Sequence, residues 1–208
     1  MTHCDQTALL HEKLSLLVQI DRENWQQFVN HGRLTHYRAG ESIFMPGEST
    51  SEIRFICEGL ACHYYIKPDG TRRNKSFLQI AEVASSLSSM HSGQPARFGC
   101  EALQATLCLS LPYADFQQLC AALPVWQSVS QALLTRLALK KETREADLLL
   151  MSPTELYLQF CEQYPVLNQT LPNYHIASYL GISEVSLSRI RARLGVQNTY
   201  QRQKSHRH

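Results

Sequence analysis

The chain has 208 residues, 44% hydrophobic and 18% charged, with a formal net charge of +2. That is enough apolar material for one large core or two small ones. No run approaches the roughly 18 apolar residues of a membrane span, so no membrane partner is expected.

The opening MTHCDQTALLHEK lacks a basic start and an apolar run, so no export signal is expected. The seven cysteines are irregularly spaced with no C-x-x-C, which fits reduced thiols and a cytoplasmic location. Asn74-Lys75-Ser76 and Asn168-Gln169-Thr170 match the glycosylation pattern, but without export they are chance matches.

Residues 1–33 read as helical. Asp21 can cap a helix through Trp25, Phe28 and Val29, with Gly32 to end it. From Leu34 to about Pro112 short β-rich runs alternate with glycines at 40, 47, 59 and 70, the texture of an all-β sandwich or barrel. Ile53–Ile56, Leu60–Ile66 and Thr71–Ile80 read as strands, with two more in Cys100–Leu111. Lys67-Pro68-Asp69-Gly70 is a turn. Glu82–Gln94 reads as a loop or short helix.

Beyond Pro112 the texture is helical. A short helix spans Tyr113–Leu123, and Pro124 opens a long one to about Met151. Such a helix extends about 40 Å, and Trp126, Val129, Leu133 and Leu137 share one stripe. Either a partner helix, as in a homodimer through Val129, Leu133 and Leu137, or a groove of the same chain would cover that stripe. Ser152-Pro153-Thr154-Glu155 is a capping box that starts a further helix.

The strongest motif follows. Counted from Asn173, Ile176 and Ala177 fall at positions four and five. Leu180, Gly181 and Ile182 fall at eight to ten, Leu187 at fifteen and Ile190 at eighteen. A helix-turn-helix needs this register: a small residue where the second helix crosses, a glycine for the left-handed turn, and apolar residues between the helices. Ser183 can cap the second helix, making Ser183–Leu194 a recognition helix for duplex DNA. Its candidate contacts are Ser183, Glu184, Val185, Ser186, Ser188, Arg189, Arg191 and Arg193. Arg189 is placed to fork onto a guanine edge. Tyr174 and His175, on the helix before, suit phosphate oxygens. Residues 183–208 hold six arginines and lysines against Glu184 alone, a net +5 on a body of −3. That asymmetry suits a polyanionic partner.

Glycine-punctuated β runs, one long helix, and Ala-Ser-Tyr-Leu-Gly-Ile-Ser followed by Leu-Ser-Arg-Ile-Arg at 187–191 resemble the Crp/Fnr family of bacterial transcription regulators. The resemblance implies an α+β chain: an N-terminal double-stranded β-helix, or jelly roll, of the cyclic-nucleotide-binding type, a long dimerisation helix and a C-terminal helix-turn-helix. Its expected boundaries are 1–123, 124–151 and 152–208. A homodimer reading a near-palindrome, with RNA polymerase as a further partner, is also implied.

Against that family's pattern, the phosphate-binding cassette opens Ala81-Glu82 instead of Gly-Glu. It closes Pro95-Ala96-Arg97-Phe98, so the arginine position holds Ala96 and Arg97 falls one place late. The long helix carries Lys140 and Lys141 where hydroxyls would meet the base. Glu82, Ala96, Arg97, Lys140 and Lys141 therefore mark an altered effector pocket in which cAMP is not expected. No cofactor and no metal are expected. After Gly195 only thirteen residues remain, most of them polar, so the wing is expected to be reduced or absent.

A cupin-like enzyme would need closely spaced histidines on strands, and the His-x-His here is His206-Arg207-His208 in the tail. His11-Glu12 is not followed by the second histidine of a zinc protease, and no G-x-S-x-G or phosphate loop occurs. A non-enzyme is expected. The alternative is a sensor whose helical C-terminal domain binds a protein instead of DNA.

Overall fold

The computed structural model describes residues 3–195, with side chains from Gln6 onward. The expected basic tail and the reduced wing, Val196–His208, lie outside the described residues. Two compact units are formed. The first comprises the chain through Thr71 and residues 75–137; the second comprises Arg72–Asn74 and the chain from Ala138 onward.

In the first unit, helices α1 (His3–Ser15) and α2 (Arg22–His31) precede the strands. Asp21 caps α2 as expected, its carboxylate accepting from the Asn24 backbone N–H at 2.8 Å. Gly32 ends the helix for a different reason from the one expected. Its φ of −103° is extended, not left-handed. A Cβ there would come within 2.6 Å of a Leu109 methyl and force that buried side chain to shift, so close packing on the sheet favours the glycine.

Seven strands follow: β1 (Arg33–Tyr37), β2 (Ser42–Phe44), β3 (Glu52–Glu58), β4 (Ala61–Ile66), β5 (Arg72–Leu78), β6 (Gly99–Ala102) and β7 (Thr106–Pro112). They make two sheets, ordered β1-β7-β3 and β2-β6-β4-β5. The pairings of β7 with β1 and β3, and of β6 with β2 and β4, are antiparallel. The turn before β5 forms as read: Gly70 has φ +79°, and Asp69 Oδ1 accepts from the Thr71 N–H at 2.9 Å. Within Glu82–Gln94, the short helix α3 (Leu87–Ser92) is capped by Ser86.

Alternation along β7 separates two cores. Leu107, Leu109 and Leu111 join Ile53 and Phe55 of β3, Leu10 and Leu14 of α1, Phe28 of α2 and Phe116 of α4 (Tyr113–Ala122). Cys108 faces the other way, into a cluster with Ile43, Phe44, Ile56, Ala61, Leu78, Ala96, Phe98 and Cys100. Burial pushes the thiols of Cys57 and Cys108 up to about 12, so both are neutral packing groups.

Helix α5 (Pro124–Leu150) runs 27 residues, and the division between the units falls within it. Trp126 and Val129 are fully buried in the first unit's helix-side core, where Trp126 stacks on Phe28 at 4.2 Å. Leu133 packs partly on the same core. Val129 is therefore committed to its own chain. Exposed leucines follow on the same helix, Leu134, Leu137 and Leu139 in its middle and Leu148, Leu149 and Leu150 at its end.

The second unit holds α6 (Pro153–Gln163), α7 (Pro165–Thr170), α8 (Asn173–Leu180) and α9 (Glu184–Arg193). The capping box closes both ways, with Ser152 Oγ accepting from the Glu155 N–H and Glu155 Oε2 from the Ser152 N–H. Helix α7, six residues opened by Pro165, is too short to show a helical period in the sequence.

Candidate nucleic-acid interface

The α8–α9 pair is built as its motif requires. Ile176, Ala177, Leu180, Leu187 and Ile190 are buried between the helices. Gly181 takes φ +78°, a conformation that penalises any Cβ, and its N–H and that of Ile182 close back onto α8. Ser183 caps α9, its Oγ accepting from the Ser186 N–H at 3.1 Å. The Ser183 and Ser186 hydroxyls lie 2.9 Å apart, so the half-buried Ser186 is partly engaged in the cap itself.

What remains open on α9 is a face of Glu184, Val185, Ser188, Arg189, Ala192 and Arg193, all exposed. Val185 is 60% exposed, an apolar side chain available to a base-edge methyl. Tyr174 on α8 is half-exposed.

Two of the candidate contacts lie elsewhere than expected. Arg191 is 5% exposed. Its Nε donates to Tyr157 Oη at 3.0 Å, Nη1 to Asn173 Oδ1 at 2.5 Å, and Nη2 to Asn168 Oδ1 at 2.8 Å. One guanidinium thus ties α9 to α6, α7 and the start of α8, and cannot also reach a phosphate. Position 191 falls on the Leu187/Ile190 side of the helix, where a long side chain is drawn inward when acceptors are waiting.

His175 is likewise 5% exposed. Asn74, which clusters with this unit, places its amide nitrogen 3.0 Å from both His175 Nδ1 and the His175 carbonyl. Burial, with the Arg72 guanidinium nearby, holds the imidazole down to about 4. A neutral, buried ring is no phosphate ligand. The two sequon asparagines are likewise structural: Asn74 holds His175, and Asn168 holds Arg191. No periodicity in the sequence signals Tyr157, Asn168 or Asn173 as partners, because they sit on three other helices.

The positions marked for an effector fall as follows. Ala81 is buried with φ +66°, a left-handed backbone conformation that favours glycine. Glu82 turns back on its own loop, Oε2 accepting from the Gln79 N–H at 2.9 Å. Ala96 and Phe98 face the interior of the roll, while Arg97 between them is exposed. The Phe98 ring packs edge-on to His63 and Phe44, with Lys75 Nζ 3.7 Å from its centroid. Lys140 and Lys141 lie on the second-unit part of α5, half-buried and exposed respectively.

Among known families, the one described as "Cyclic nucleotide-binding domain" matches residues 34–122. No curated protein matches the sequence. Solved structures do. The c-di-GMP responsive global regulator CLP of Xanthomonas campestris aligns with a TM-score of 0.70 at 14% identity, over 84% of this chain and 92% of that one. The Catabolite Activator Protein of Thermus thermophilus aligns at 0.55 and 21% identity, over 86% of each. FixK2 of Bradyrhizobium japonicum aligns at 0.65 and 19%, over 79% of this chain and 84% of that one. At such identities the likeness is one of fold. Residues 34–122 match the cyclic nucleotide-binding domain family, and over about four-fifths of its length or more the chain shares the fold of these solved regulators.

Proposed function

We propose that this protein is a cytoplasmic, homodimeric transcription regulator that lays α9 in the major groove of duplex DNA. It is a regulator and not an enzyme. The observation that carries the reading is the open face of α9, with Arg189 and Arg193 one turn apart, on a helix whose opposite face is locked into the unit. A side chain left in solvent on a rigid helix is what base readout uses. RNA polymerase is the partner through which a bound dimer would act on transcription.

Arg189→Ala is expected to weaken the preferred site by about 1–3 kcal/mol and relax selectivity at one base pair. Arg193→Ala, removing a charge near the phosphates, should weaken all sequences alike and flatten the salt dependence. Fluorescence anisotropy on sites selected from random DNA checks both. Absence of any DNA affinity at about 50 mM salt would overturn the reading.

Self-association is proposed through α5, with a correction to the expected seam. Val129 serves the chain's own core, so the residues offered to a second copy are Leu134 and Leu137, 47% and 37% exposed. Leu134→Asp with Leu137→Asp should give a folded monomer by sedimentation. Val129→Asp should instead unfold the first unit, because it buries an unpaired charge. A double variant that still sediments as a dimer places the seam elsewhere.

The effector is proposed to differ from a cyclic nucleotide. The family described by its cyclic-nucleotide binding matches this β-roll, yet the cassette arginine's place holds buried Ala96, and Phe98 packs in the roll's core cluster. Without that guanidinium the strongest charge-assisted contact to a cyclic phosphate is missing.

A further inference from the structure

The three-stranded sheet carries a polar row that the cassette does not explain. In its register Ser110 of β7 stands opposite Arg33 of β1 on one side and Arg54 of β3 on the other. The next row on the same face is Thr35, Cys108 and Ile56. Cys108 and Ile56 belong to the interior of the roll, so Arg33–Ser110–Arg54 is on the sheet face that looks inward.

Glu52 bridges the two arginines, its Oε1 accepting from Arg33 at 2.6 Å and its Oε2 from Arg54 at 2.8 Å. One carboxylate thus answers two guanidinium groups. The Arg54 side chain is 13% exposed, yet its Nε and Nη1 have no hydrogen-bond partner among the described residues. Ser110 Oγ beside it is buried and also without one. Tyr37 also interacts with Arg54 by a side-chain hydrogen bond, but burial pushes its phenol up, so it brings no negative charge to the guanidinium. Buried donors are almost always satisfied, and those of a charged group most of all. The unmatched charge is positive, and the unmatched groups are able to donate. Arg33, 63% exposed, leads from solvent to the row.

We propose that this row is an oxyanion site, in which Arg54 and Ser110 hold the phosphate or carboxylate group of a small effector. It rests on the reading of the β-roll as the sensory part of the regulator, and it places the anion on β3 and β7 instead of on the cassette. The ligand's charged group supplies the second negative charge that Glu52 alone does not.

The test uses the full chain at constant ionic strength, with chloride exchanged for inorganic phosphate in one arm and acetate in the other. Thermal unfolding and the arginine Nε–H resonances of 15N-labelled protein are followed together. A saturable rise in Tm accompanied by movement of the Arg54 Nε–H signal is expected in at least one arm, and the arm that responds tells phosphate from carboxylate. Ser110→Ala should weaken the response about tenfold, as loss of a hydrogen bond to an ion does, and Arg54→Met should abolish it. A rise linear in concentration and equal in the variants reflects exclusion of the salt from the protein surface and overturns the proposal. So does an unmoved Arg54 signal, which would leave water as the row's occupant. If Arg54→Met does not fold, Ser110→Ala and the wild-type resonance decide. DNA affinity measured on the same samples keeps the two readings apart: oxyanion binding without DNA binding sinks the regulator reading alone, and the reverse sinks the site alone.

Discussion

Arg191→Ala is expected to lower the stability of the C-terminal unit by about 2–3 kcal/mol, as loss of several hydrogen bonds from a buried charged group to neutral partners does. The guanidinium satisfies Tyr157, Asn173 and Asn168 together, and Tyr157 Oη in turn donates to Asn168 Oδ1 at 3.2 Å. Truncation leaves the buried Tyr157 and the half-buried Asn168 and Asn173 without this partner, and opens space among four helices. Arg191→Lys should rescue little, since a point-like ammonium cannot spread its bonds as a planar guanidinium does. Arg189→Ala and Arg193→Ala, on the exposed face, should shift stability by no more than about 0.5 kcal/mol. Urea unfolding followed by circular dichroism separates the three. A loss below about 1 kcal/mol for Arg191→Ala would return that residue to the DNA-facing set.

Acid should destabilise the same unit through His175. Its folded value, about 4, lies below the ordinary 6.5, because burial and Arg72 disfavour the imidazolium. Between those two values the unfolded chain takes up a proton that the folded chain refuses, so stability falls as pH falls. The contribution is intact above about 6.5 and gone below about 4, amounting to on the order of 2–3 kcal/mol. Urea midpoints across that range should slope downward for the wild type and more gently for His175→Gln. Parallel slopes would show that other groups carry the acid sensitivity.

The helix-turn-helix was legible because each of its signals is local. Ser183 capping α9, Gly181 in the left-handed conformation and the Ile176-to-Ile190 register all act within a few residues or along one helix face. The same holds for Asp21, for the Ser152 box and for the Pro68-Asp69-Gly70 turn. Ala96 and Phe98 are buried and Arg97 between them is exposed, in the segment that leads into β6.

Less accessible were the roles of polar side chains at positions that periodicity leaves ambiguous. Arg191 and Arg193 are near neighbours on one helix, with the same chemistry, and end in opposite places. What separates them is whether oxygens on α6, α7 and α8 converge on one of them. The helix position of His175 suits a phosphate contact, yet Asn74, 101 residues earlier, takes it. Gly32 looks like any helix-ending glycine until Leu109 is brought against it.

Caps, turns, strand alternation and the helix-turn-helix register were therefore determined by the sequence itself, because their hydrogen bonds and apolar stripes close within a short span of chain. The fate of Arg191, His175, Gly32 and the Arg33–Ser110–Arg54 row was decided by the tertiary structure. Burying a charge or a donor is favourable only where distant partners arrive to satisfy it, and no local pattern records which partners those are.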